Sequence, residues 1–320
     1  MSRDERVYVA GHRGLVGSAV VRALERAAYT SVLTAPRTEL DLRDVYSVDR
    51  FFDTARPEVV ILCAARVGGI LANSMRPAQF IHENLRIQTN VIDAAWRYGV
   101  RKLVFLGSSC IYPRLAPQPI AESALLTGPL EATNEAYAIA KIAGLKMCQA
   151  YRSQYGFDTI VAMPTNLYGE NDNFSDSDSH VLAALLARFH QARSAGLDRV
   201  TVWGSGRPRR EFLHADDCAD AILHLLERYS SPEPVNIGCG EDISIAELAG
   251  LIAGIVGYRG QIEFDSSKPD GTPRKLLDVS RLQSLGWRPR ITLAAGIEST
   301  YRAYVRARDT TVSDTSGVTT

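Results

Sequence analysis

The sequence predicts an α/β protein: a doubly wound parallel sheet with a second, smaller, discontinuous α/β lobe. Three observations lead there. Short apolar runs alternate with amphipathic stretches through the first half of the chain, a glycine-rich turn follows the first of those runs, and the alternation breaks up after Asn166.

Residues 7–10, 31–35, 59–64, 103–107 and 159–163 are short apolar runs of the kind buried on both faces of a parallel sheet. Between them, 15–27, 45–54, 83–98 and 135–155 carry helical periodicity, so each pair of strands is joined by a helical crossover. Gly, Asn, Asp and Ser crowd 169–179, and helical patterns return at 180–195, 215–228 and 245–256. Residues 234–237 form a short strand suited to rejoin the main sheet, and 268–274 is a polar, turn-rich loop. These limits place a dinucleotide-binding (Rossmann) domain at 1–166 plus about 214–239. A substrate lobe takes about 167–213 plus 240–308, and 309–320 is a disordered tail without apolar content.

Bulk composition narrows the function classes. With 320 residues, 46% of them hydrophobic, the chain can bury one large core or two unequal ones. Its 36 basic and 36 acidic residues cancel, which argues against a nucleic-acid partner or a polybasic membrane patch. The N-terminus lacks the apolar stretch of a secretion signal, and no apolar run approaches the length of a bilayer span. The five cysteines are dispersed without C-x-x-C spacing, which fits a reducing compartment and offers neither a disulfide framework nor a metal site. A cytoplasmic protein follows, with no metal and no membrane or nucleic-acid partner.

The turn after the first strand reads Gly11, His12, Arg13, Gly14, Leu15, Val16, Gly17 and opens the first helix. Glycines there let the backbone turn sharply and approach a pyrophosphate, while the helix start offers N–H donors. The stretch Arg37, Thr38, Glu39, Leu40, Asp41, Leu42 follows the second strand and is read as the adenosine side of the cofactor site, with Asp41 and Leu42 at the adenine edge. No carboxylate ends that strand to hold a ribose 2′-hydroxyl, whereas the guanidinium groups of Arg37 and Arg13 suit a 2′-phosphate. Together they favour NADP(H); the alternative for each arginine alone, a solvated surface charge, is the less favoured reading.

Tyr137 and Lys141 stand one helical turn apart on one face, so the ammonium is expected to lower the pKa of the phenol and fit it for proton exchange with a carbonyl oxygen. Ser108, in the run Leu106, Gly107, Ser108, Ser109 at the end of the fourth strand, can donate to the same oxygen.

On these residues, and on the segments AGHRGLVGSA, FLGSSCIYPRLAPQPIAE, NEAYAIAKIAGLKMC, MPTNLYGENDNF, WGSGRPRREFLHADD and SKPDGTPRKLLDV, the chain from 6 to 308 resembles the extended short-chain dehydrogenase/reductase family. Within it the likeness is to bifunctional enzymes that epimerise GDP-4-keto-6-deoxy-D-mannose at C3 and C5 and reduce C4 with NADPH, giving GDP-L-fucose. The resemblance implies Cys110 as the epimerisation base and His180 as its acid. It also implies Leu106–Ser109, Pro164, Thr165, Asn166, Leu167, Lys141 and His180 as cofactor contacts. Arg188 and Arg210 would meet the substrate diphosphate, with Trp203 and Asp270 as further substrate contacts and a homodimer built on the helices near 83–98 and 135–155. On chemistry alone Trp203 reads equally as core, and Asp270, within Pro-Asp-Gly, as a turn residue.

Two rivals remain open at this stage. A nucleotide-sugar 4-epimerase or 4,6-dehydratase shares the fold, but a dehydratase is expected to carry Asp-Glu where this chain has Ser109-Cys110. A non-catalytic NADP(H) sensor on the same fold is the rival from another class, disfavoured by the complete Ser108, Tyr137 and Lys141 set.

Overall fold

The computed structural model describes residues 2–175, 179–268 and 270–315, with side chains through 309. Strands β1 (Val7–Ala10), β2 (Val32–Leu33), β3 (Val59–Leu62), β4 (Lys102–Leu106) and β5 (Asp158–Pro164) alternate with helices α1 (Leu15–Arg26), α2 (Val45–Ala55), α3 (Ile70–Met75), α4 (Pro77–Arg97) and α5 (Glu135–Tyr155). Then come β6 (Asn166–Tyr168), α6 (Val181–Ser194), β7 (Arg199–Trp203), β8 (Arg209–Arg210), β9 (Phe212–His214), α7 (Ala215–Arg228) and β10 (Val235–Ile237). The chain closes with β11 (Ile243–Ser244), α8 (Ile245–Val256), β12 (Gln261–Asp265), β13 (Arg274–Lys275), α9 (Ser280–Ser284) and α10 (Leu293–Thr315).

The main sheet runs β10-β5-β4-β3-β1-β2 and is parallel throughout. β1, β3 and β4 are buried along their whole length, which explains their unbroken apolar sequences. One face is covered by a core that includes Val48, Phe52, Val91, Ile92 and Leu145 from α2, α4 and α5. The other is covered by a core that includes Ala19, Val20, Leu24, Cys218 and Ile222 from α1 and α7. Strand order reverses at β1, whose neighbours are β2 and β3, so the crevice where such sheets bind ligands opens at the carboxyl ends of β1 and β3.

A third core gathers Leu186 and Phe189 of α6, Leu248 and Ile252 of α8, Val202 of β7 and Tyr304 of α10. β7 pairs in parallel with β12, β8 lies between β11 and β13, and β6 pairs with β9. Helix α8 starts on a reciprocal cap between Ser244 and Glu247 and ends on Gly257 in the left-handed region.

Three differences from the sequence reading have local causes. The run at 31–35 shortens to the two-residue β2 at the sheet edge, and the helix expected from residue 83 starts at Pro77, a residue favoured in a first turn. Helix α10 extends to Thr315 through the start of the segment expected to be disordered, because a helix already nucleated on packed residues lengthens at little cost. The remainder of that tail, 316–320, lies outside the described residues. No helix among the described residues is long and apolar enough to cross a membrane.

Candidate active site

The glycine turn between β1 and α1 is built for close approach. Gly11 has φ +87°, and a Cβ on it would lie 2.8 Å from the Ala64 backbone. A Cβ on Gly17 would lie 2.1 Å from the Gly11 carbonyl oxygen, so only glycine lets α1 seat against the turn. Gly14 is the N-cap of α1 and makes no side-chain cap, which leaves the first N–H groups of the helix to a ligand. The cradle thus fits a dinucleotide pyrophosphate. His12 is half-buried and Arg13 exposed, while Leu15 and Val16 are half-buried against the core under α1.

Past β2, Arg37, Thr38 and Glu39 are exposed. Leu40, expected among the cofactor contacts, is 4% exposed and its side chain joins the core with Val48 and Phe52. Leu42 packs half-buried on the same core, and its carbonyl accepts from Asn90 Nδ2 at 2.9 Å. Asp41 is held by Arg43 at 2.6 Å, and that guanidinium keeps its carboxyl down to about 2.

Helix α5 approaches β4 closely because Gly144 has no side chain; a Cβ there would lie 2.4 Å from the Phe105 ring. This brings Tyr137 and Lys141 to the carboxyl end of β4, beside Ser108. Lys141 is 3% exposed and donates to the Leu106 carbonyl at 2.7 Å, and its ammonium lies 6.0 Å from the Tyr137 ring centre. Burial lowers its pKa to about 8. Burial also raises the pKa of Tyr137, Cys110 adds to that, and the Ser108 hydroxyl acts in the opposite sense. The net shift of Tyr137 is thus upward, opposite to the one expected from Lys141: burial is its chief cause, and the Lys141 hydrogen bond goes to the Leu106 carbonyl.

Ser108 caps the tight turn Ser109–Ile111, its Oγ accepting from the Cys110 N–H at 3.3 Å, and this turn presents the Cys110 thiol. The Cys110 sulfur accepts from Asn134 Nδ2 at 3.3 Å and from the Lys275 ammonium at 3.8 Å. Lys275 also acts on His180, the N-cap of α6, which keeps an exposed surface; partial loss of solvent lowers its pKa first, and the Lys275 charge lowers it further. Arg210 on β8 is half-buried, with Cys110, Glu131 and Asp270 as its titratable neighbours. The structure thus brings Ser108, Cys110, Tyr137, Lys141, His180 and Arg210 together. Among cofactor-side residues, Leu106 and Ser109 are buried under the same turn, and Gly107 donates to the Ala162 carbonyl at 2.8 Å. Pro164 ends β5; Thr165 is buried, with its N–H on the Ile237 carbonyl at 2.9 Å, and Leu167 is half-buried. Asn166 Nδ2 is already donated to the Glu211 carbonyl at 2.8 Å.

On the other side of the cleft, Trp203 is 55% exposed, which removes the core reading, and it carries Arg188 at 5.9 Å and Lys268 at 5.6 Å from its ring centre. Arg188 also donates to the Thr201 carbonyl at 2.7 Å. Asp270 accepts from the Ser205 N–H at 2.7 Å and the Ser205 hydroxyl at 2.8 Å, so both its oxygens tie its segment to the distant loop after β7. Asn134, Lys275 and Lys268 were not singled out from sequence. Asn134 opens the quoted run NEAYAIAKIAGLKMC and the two lysines lie in SKPDGTPRKLLDV, but no spacing in either run points to the site. Among the described residues no group of three or more His, Cys, Asp or Glu is arranged to hold a metal ion.

Comparison with known proteins agrees with this geometry. GDP-L-fucose synthase 1 of Arabidopsis thaliana is 57% identical over 304 residues, covering 95% of this chain and 94% of that protein. A GDP-6-OMe-4-keto-L-xylo-heptose reductase from C. jejuni superposes with a TM-score of 0.92 at 36% identity, covering 96% of this chain and 99% of that one. The GDP-mannoheptose C4 reductase from Campylobacter jejuni, solved with NADP bound, gives 0.88 at 37% identity, covering 95% and 99%. Residues 7–238 match the model of the NAD dependent epimerase/dehydratase family, and the chain belongs to that family.

Proposed function

We propose that the chain converts GDP-4-keto-6-deoxy-D-mannose to GDP-L-fucose, exchanging protons at C3 and C5 and reducing C4 with NADPH. The observation that carries this reading is the place of Cys110. Its sulfur receives donors from Asn134 at 3.3 Å and Lys275 at 3.8 Å, one turn from Ser108 and beside Tyr137. A plain C4 reductase needs the Ser108, Tyr137 and Lys141 group alone.

The C4 ketone acidifies the protons on C3 and C5, and the Ser108 and Tyr137 hydroxyls hold the oxygen on which negative charge collects. Cys110, as thiolate, takes a carbon-bound proton; Asn134 and Lys275 hold negative charge on the sulfur before that transfer. His180 returns a proton to the opposite face. Its lowered pKa makes the imidazolium a stronger donor and a less populated one. When bound, NADPH supplies the hydride that reduces C4. Tyr137, kept protonated by burial, gives its proton to the C4 oxygen, and Lys141 anchors the cofactor end of the helix.

Gly11–Gly17 hold the pyrophosphate, and Arg13 and Arg37 the 2′-phosphate. Arg188, Arg210 and the exposed face of Trp203 receive the GDP part of the substrate. The exposed Ile139 and Tyr155 on α5 support a homodimer formed through α4 and α5.

Incubation with GDP-4-keto-6-deoxy-D-mannose and NADPH in deuterated water tests the reading. It requires one NADPH oxidised per product and deuterium at both C3 and C5. NADPH oxidation without deuterium would make the protein a C4 reductase like its heptose-processing relatives, and turnover without net oxidation would make it a 4-epimerase or dehydratase.

A further inference from the structure

We propose that Arg43 is a specificity-determining residue for NADP(H): it clamps Asp41 and thereby leaves Arg37 free for the 2′-phosphate. The inference rests on the reading of Arg37 as a phosphate ligand and adds a residue outside the glycine turn and the catalytic group. Asp41 follows Arg37 by four residues, and the Arg37 Nε lies 4.0 Å from Asp41 Oδ2. A carboxylate at that place works against NADP(H) in two ways. It competes for the guanidinium, and it repels the phosphate dianion.

Arg43 removes both effects. Its Nε lies 3.0 Å from Asp41 Oδ1 and 3.2 Å from Oδ2, its Nη2 2.6 Å from Oδ2, and its backbone N–H donates to Oδ1 at 3.0 Å. That fork and the N–H use most of the lone pairs of the carboxylate. The clamp is held from behind. Arg43 Nη1 lies 3.3 Å from Glu83 Oε2 on α4, and Glu83 Oε1 receives Arg66 Nη1 at 3.0 Å. Arg43 is thus fixed between two carboxylates, whereas Arg37 has 68% of its side chain exposed. Asp41 is ionised at any working pH, its carboxyl held down to about 2 chiefly by Arg43, so its charge must be cancelled by a partner rather than by protonation.

Calorimetric titration with NADPH, NADH, 2′,5′-ADP and 5′-AMP tests this on the free protein, without turnover. Arg43→Gln is expected to weaken NADPH and 2′,5′-ADP by roughly three- to fivefold, the upper range of partly exposed charge pairs, while NADH and 5′-AMP change less than twofold. Adding Asp41→Asn to Arg43→Gln is expected to restore the 2′-phosphate ligands, because the freed carboxylate is then gone. Arg43→Lys keeps the charge without the fork and gives a smaller loss in the same direction. Equal losses for all four ligands, unaltered NADPH affinity, or no recovery in the double variant would overturn the proposal. Arg37→Ala separates the two layers: a loss confined to the 2′-phosphate ligands supports the reading beneath, and unchanged 2′,5′-ADP affinity removes that reading and the proposal with it.

Discussion

Lys275 brings its ammonium within 3.8 Å of the Cys110 sulfur across a sequence separation of 165 residues. β13 carries it there by pairing with β8, which aligns Lys275 with Arg210. A cation at that distance favours negative charge on sulfur. Lys275→Met is expected to slow deuterium wash-in at C3 and C5 roughly tenfold, on the order of one partly buried charge contact. NADPH affinity, measured by titration, should hold, since the side chain lies on the substrate side. Normal wash-in in this variant would reduce Lys275 to a bystander.

Lys141 couples the active site to stability. Its folded pKa of about 8 lies below the ordinary lysine value of 10.5, so between those values the unfolded chain binds more protons than the folded one. Stability then rises with pH across about 8 to 10.5, because the burial cost of the ammonium is relieved as the proton leaves. The full span is worth about 3 kcal/mol. Lys141→Met should be more stable than the parent near pH 7 while inactive, and the gap should close as pH approaches 10.5. Chemical unfolding of both proteins at pH 7 and pH 10 checks the sign, and a gap that widens with pH refutes it.

Much of this was legible in the chain because it is local. The β1, β3 and β4 runs are apolar since both sheet faces are covered, and the Tyr137 and Lys141 pair is set by one helical turn. The roles proposed for Cys110 and His180 were legible only through resemblance, since a lone cysteine at a strand end reads as core. What stayed hidden depends on tertiary approach. Asn134 and Lys275 reach the Cys110 sulfur from separate segments, Leu40 turns inward against Val48 and Phe52, and the burial that reverses the expected effect on Tyr137 comes from packing no spacing encodes. The Trp203 alternatives needed the structure too, because Arg188 and Lys268 reach the ring from different elements.

The end of α10 divides into a part that packs and a part that should be dispensable. Tyr304 is 6% exposed and its ring lies 4.7 Å from that of Phe174, whereas Arg308 is exposed and donates to the Tyr304 hydroxyl at 3.0 Å. A chain ending after Asp309 should keep its melting temperature and activity. One ending after Arg302 loses Tyr304 from the third core, at roughly 3 kcal/mol, a drop of about 5–10 °C. Equal melting temperatures for the two truncations would show that Tyr304 packs without consequence.

Two substitutions separate the two chemistries. Tyr137→Phe keeps the ring that meets Phe80 edge-on at 6.4 Å but removes the proton donor to the C4 oxygen. NADPH oxidation should fall on the order of 10²–10⁴-fold while NADPH binding survives. Cys110→Ser keeps size and hydrogen bonding, yet a hydroxyl is far harder to deprotonate than a thiol, so carbon-proton removal should fail first. Deuterium at C3 and C5 should drop steeply while Ser108, Tyr137 and Lys141 remain in place. The keto sugar is then reduced before it is epimerised, and the product shifts from GDP-L-fucose to a GDP-6-deoxyhexose with unaltered C3 and C5 configuration. Product NMR decides between the outcomes. A Cys110→Ser protein that still makes GDP-L-fucose with full deuterium at both carbons would leave the thiol no part in proton transfer.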